Sequence, residues 1–171
     1  MRALRPFAGF VLRDAALVAL AGALVALDAS SRAAGRPSVA LGLASGVLVA
    51  LGSFLLHEWG HWLGAVLTGA RVHRPRTVLS PFLFWFDTSS STRAQFLSMS
   101  VGGYAATGLA VAAIVAGADP STTSGATALA LAVVGLVVTA AAELPTTFRV
   151  ARGAPLPSGF AYVSDDSKKE A

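Results

Sequence analysis

Long stretches without charge constrain this chain more than any other feature. No charged side chain occurs from Ala15 to Leu27, Val39 to Leu56, Ala94 to Ala118 or Ala126 to Ala142. Only 13% of the 171 residues are charged and 54% are hydrophobic, whereas a soluble domain carries about 25% charged residues. A bilayer core of about 30 Å takes roughly 20 apolar residues in helical form. Helices satisfy every backbone N–H and C=O internally, as lipid requires. The sequence therefore predicts an all-α membrane protein of about four transmembrane helices. It forms one domain over residues 1–160, with a polar tail at 161–171 expected to be disordered.

The first span covers about Ala15 to Ser31. Its basic leader also fits a signal peptide, but Phe7 to Leu12 can lengthen it, and a retained helix is the reading. The second runs from Val39 to about Ala70 and would measure roughly 48 Å as straight helix, with Gly64 and Gly69 as its weak points. The third and fourth run from about Ala94 to Ala118 and from Gly125 to Phe148, with Pro145 near the end. Between spans two and three, Arg76 to Phe86 is rich in β-branched and aromatic residues and reads as a short β-like or interfacial segment. Asp87 to Thr92 reads as a polar turn that caps the third helix. Gly102, Gly103 and Gly108 read as helix-packing positions.

Basic residues set the expected orientation. With four spans, eleven of the thirteen Lys and Arg residues fall on the side of the termini and the second loop; only Arg32 and Arg36 fall opposite. The positive-inside rule predicts a multi-pass protein of the cell membrane with both termini cytoplasmic. The net charge of +4 is scattered among loops and termini, so the expected partner surface is the lipid bilayer and not nucleic acid.

In the half of span two expected to be cytoplasmic stands His57-Glu58-Trp59-Gly60-His61. Histidines at i and i+4 share one helix face and can grip one Zn²⁺. The intervening Glu58 can act as general base on a water beside the metal. Ionisable groups inside a span are costly and mark function by default. The chain has no cysteine, so a third ligand must be His, Asp or Glu. Glu143 is the first choice, because it follows an uncharged run and falls in the inner part of span four. Asp87, Asp14 and His73 are the alternatives.

HEWGH in an apolar span, an inner β-like segment and two further spans resemble the site-2 protease family of intramembrane zinc metalloproteases. The resemblance covers about Val39 to Phe160, and Gly102-Gly103-Tyr104-Ala105 is similar to the family's small-residue packing segment. It implies zinc-dependent peptide hydrolysis, with Glu58 as base and His57 and His61 as ligands. The implied substrates are single-pass membrane proteins or signal-peptide remnants. The family's third ligand is usually an aspartate in a Leu-Asp-Gly motif. This chain has Ala142-Glu143-Leu144-Pro145 instead, so Glu143 would fill that role. The departure leaves an alternative: a degenerate member acting as a membrane scaffold, chaperone or assembly factor. Membrane proteases that use a glutamate as third ligand, such as the heat-shock and the prenyl-protein-processing membrane proteases, also fit Glu143 but carry more soluble structure.

Overall fold

The computed structural model describes residues 7–159 and 162–163. Four helices dominate: α1 (Ala8–Ala33), α2 (Val39–Leu67), α3 (Arg93–Gly117) and α4 (Thr123–Ala151). Each is long and apolar enough to cross a membrane. Large apolar side chains such as Leu12, Leu109, Val115 and Val137 face outward, which suits a lipid surround better than water.

The helix ends follow from local chemistry. Ser38 Oγ caps α2 by accepting the Leu41 N–H, and Thr122 caps α4 by accepting the Gly125 N–H. Thr92 and Gln95 form a reciprocal capping box at the start of α3, as the polar turn before it predicts. α2 stops after Leu67 because Gly69 adopts φ 69°. Its N–H reaches Val66 O, and Ala70 N–H reaches Ala65 O, the paired bonds that close a helix on a left-handed glycine. Gly64 is no weak point; it lies within α2, against α3. α4 continues through Pro145 to Ala151, three residues beyond the end expected from sequence. The missing proline N–H deprives the Ala141 carbonyl of its helical partner.

α2 packs against all three other helices, and glycine makes that possible. Toward α4 it presents Gly42 and Gly46; a Cβ on Gly46 would lie 2.6 Å from Thr127 Cβ. Toward α3 it presents Gly60 and Gly64. A Cβ on Gly60 would lie 2.5 Å from both Ala106 Cβ and Gly102 O, and one on Gly64 would meet the Ser98 carbonyl. Gly102 answers from α3 against the Gly60 carbonyl, whereas Gly108 faces open space and is not a packing position.

The α2–α3 connection carries β1 (Val72–His73) and β2 (Trp85–Asp87), paired antiparallel. After α4 the chain returns as β3 (Tyr162–Val163), parallel to β2, giving the order β1-β2-β3. Sequence places these two residues in the polar tail; the rest of that tail lies outside the described residues. Leu83, Phe84 and Phe86 are buried together with Phe7, Phe10, Trp62, Phe96 and Met99. The aromatic segment is thus a core between helices rather than an interfacial belt. Phe7 and Phe10 make α1 part of that core.

The glycine crossing predicts a position-specific outcome. Gly60→Val should destabilise the fold by about 1–3 kcal/mol through overpacking, read as a lower melting temperature in detergent. Gly108→Ala, with no neighbour to strike, should leave it unchanged or slightly higher.

Candidate metal centre

The α2–α3 crossing brings the two histidines of α2 onto the backbone of α3. His57 and His61 are buried, and their rings meet edge-on with centroids 4.3 Å apart. Gly103 makes room for the His61 ring, since a Cβ there would collide with it. His61 Nδ1 lies 2.9 Å from Met99 O; His57 Nδ1 lies 2.8 Å from Thr107 Oγ1 and 3.3 Å from Gly103 O. A carbonyl only accepts, so the Met99 contact requires Nδ1–H on His61. That tautomer leaves Nε2 as the free lone pair. The same assignment on His57 lets Nδ1–H donate to Thr107 Oγ1, whose own hydroxyl donates to Gly103 O at 3.0 Å. Fixing the distal nitrogen in this way is how metal-binding imidazoles are oriented.

α4 supplies the third group. Glu143 Oε1 lies 3.0 Å from His57 Nε2, and Oε2 lies 3.3 Å from His61 Nε2. The two Nε2 atoms are 3.0 Å apart. His57, His61 and Glu143 therefore form a group able to hold a metal ion, all donor atoms lying within 4.8 Å of one another. Zinc bonds of about 2.0–2.1 Å in a tetrahedron imply ligand separations of roughly 3.3 Å, so the donor set fits zinc in type and spacing. By helix rise, the three residues sit about 9 to 15 Å before the ends of α2 and α4, at a shared depth. Tyr104 Oη and Thr147 Oγ1, 2.7 Å apart, tie α3 to α4 one turn beyond Glu143.

Glu58 is not part of that group. It is buried, and its Oε2 accepts the Leu83 N–H at 3.1 Å. With His61 and Glu143 it lines a cavity of about 270 Å³ whose other walls include Phe84, Phe86, Ser100 and Tyr162. Burial, reinforced by the neighbouring Glu143 and Tyr104, pushes the Tyr162 phenol up to about 12. It remains a neutral hydroxyl at ordinary pH.

The alternative third ligands go elsewhere. Asp14 pairs with Arg13 at 2.6 Å and accepts the Trp59 indole N–H at 2.8 Å. His73 Nε2 meets Asp87 Oδ2 at 2.9 Å within the sheet. Asp87 is fully buried, and its Oδ1 also accepts the Ser89 and Ser90 N–H groups. Sequence reading missed Thr107, the Met99 and Gly103 carbonyls, the Leu83 N–H and Tyr162. A threonine one turn after a packing glycine was the only available signal, and a weak one; backbone groups leave none.

Comparison of the chain with protein families, with curated proteins and with solved structures finds no match. The fold and the three-donor group define the class: a four-helix membrane protein whose α2 and α4 bring together a group able to hold a metal ion.

Thr107→Val should weaken the affinity of this group for a divalent metal ion by about 10-fold, the lower end for loss of an orienting partner, because the Gly103 carbonyl remains. Gly103→Ala should weaken it further by displacing the His61 ring. Competition against a chromophoric chelator measures both.

Proposed function

We propose that this chain is an intramembrane zinc metalloprotease that hydrolyses peptide bonds of membrane-embedded substrates. The observation that carries the reading is the convergence of His57, His61 and Glu143 in a four-span bundle, with His61 and Glu143 sharing a cavity with Glu58. Two histidines and two glutamates inside spans are costly to keep. A structural role asks for neither a common focus nor a cavity next to it. The likeness of HEWGH and its setting to site-2 proteases supports the same reading.

Zinc, held by His57, His61 and Glu143, would supply Lewis acidity that acidifies water and polarises a carbonyl oxygen. The protein's own groups do the rest. The Leu83 N–H anchors Glu58 Oε2, so the carboxylate is fixed in orientation while Oε1 makes no hydrogen bond among the described residues. Glu58 takes a proton from the attacking water there and returns it to the departing amine nitrogen. Phe84, Phe86 and Met99 line the cavity with apolar surface, which limits bulk water and strengthens the electrostatic interactions inside. Glu143, projecting from the helix that carries Pro145, takes the place of the more usual aspartate.

The expected substrates are single-pass membrane proteins or signal-peptide remnants, cut from the cytoplasmic side of the bilayer. Metal analysis and a cleavage assay test the reading together. Glu58→Gln should retain close to one zinc per chain and lose cleavage by at least about 100-fold, the usual scale for a positioned acid–base. Glu143→Ala should lose both. Cleavage that survives Glu58→Gln would remove the protease reading and leave a metal-binding membrane scaffold.

A further inference from the structure

We propose that β3 is an internal competitor for the strand edge that a substrate uses, so that a peptide enters by displacing Tyr162–Val163 from β2. The proposal rests on the protease reading of the same site. A peptide must be extended to be cut, and an extended peptide is held best by adding to a sheet edge. The residues around β2 form the cavity wall through Phe84 and Phe86, so an edge of β2 is the place for it. Both edges are already taken, and they are held very differently.

On one edge, β1 belongs to the same connection as β2 and pairs with it antiparallel, Val72 opposite Phe86 and His73 opposite Trp85. That edge is reinforced by the Asp87 N–H to Arg71 O at 3.0 Å and by the His73–Asp87 contact at 2.9 Å. On the other edge, β3 is two residues long and parallel, Tyr162 opposite Phe86 and Val163 opposite Asp87. Thr88 donates its N–H to Val163 O at 3.0 Å, and its hydroxyl to the same oxygen at 3.2 Å. Parallel pairing is slightly weaker per residue than antiparallel pairing, and so short a strand has few bonds to lose. β3 is thus the edge partner that can leave.

Its departure would also open the site. Tyr162 shares the cavity with Glu58, His61 and Glu143, and its ring packs on Phe96 with centroids 5.9 Å apart. The strand that blocks the edge therefore also narrows the space beside the metal group. A displaced Tyr162 would give up both places at once.

The test uses the full chain, zinc-loaded in lipid nanodiscs, with a panel of single-pass helical peptides carrying an unwound, glycine-containing centre. Val163→Pro removes the N–H with which that residue can bond to the ladder. It should lower KM for the panel by about 2- to 10-fold, the scale of one hydrogen bond, with kcat kept. Adding Glu58→Gln should abolish cleavage in that background. An unchanged or higher KM, or no cleavage of any peptide by Val163→Pro, overturns the competitor and leaves the Glu58→Gln result to judge the protease reading by itself. Hydrogen exchange on the Glu58→Gln chain provides a measure independent of turnover and of the proline. On saturation with peptide, the Val163 amide should lose protection while the Thr88 amide, now paired with the peptide, keeps its own; the Tyr162 amide, which donates to Gly159 O within its own turn, serves as the internal reference. Continued protection of Val163 also overturns the proposal.

Discussion

The close approach of α2 and α3 is the contact on which the rest depends. With Cβ atoms at Gly60, Gly64 and Gly102 the two backbones could not come this near. In a bilayer, lipid tails are as apolar as leucine, so helix association rests on van der Waals packing and on small residues that permit it. Here the packing contact and the chemical group are one structure. Gly60 lies within HEWGH itself, so the residue that seats the helix stands between the residues that hold the donors. The α3 backbone that comes close is also what orients them, through Met99 O and Gly103 O.

Much of this was legible because a membrane simplifies sequence. Uncharged runs have one interpretation at this length, and three of the four spans follow from them to within a few residues; α1 starts seven residues before Ala15, across Arg13 and Asp14, through the stretch that can lengthen it. HEWGH was legible because i and i+4 share a face. Glu143 was legible by elimination, since the spans contain few acids. The glycines were only half legible: composition says that small residues pack helices, but not which face meets a neighbour. Gly102 and Gly108 look alike in the sequence, yet only Gly102 is in contact.

What stayed hidden was long-range and backbone-borne. The Leu83 N–H, the Met99 carbonyl and the Gly103 carbonyl have no side-chain signature, yet they fix Glu58 and the two imidazoles. β3 was invisible for a related reason. Two residues cannot show a strand pattern, and their partner lies some seventy-five positions away. His73 and Asp87, open as metal ligands on residue type alone, are close enough to satisfy each other across the sheet. Proximity in space decided which histidines and acids met.

The covering segment between β1 and β2 is tied down at two points by two different helices. Arg13 of α1 donates to the carbonyls of Val78 and Ser80 at 2.6 and 2.7 Å, and Glu58 of α2 holds the N–H of Leu83. Asp14, next to Arg13, is joined to Trp59, next to Glu58. These links close a polar loop through α1, the segment and α2. α1 is thereby joined to the segment directly through Arg13 and to α2 through Trp59. The backbone that sets the aim of Glu58 is therefore held from the same helix whose tilt answers to bilayer thickness.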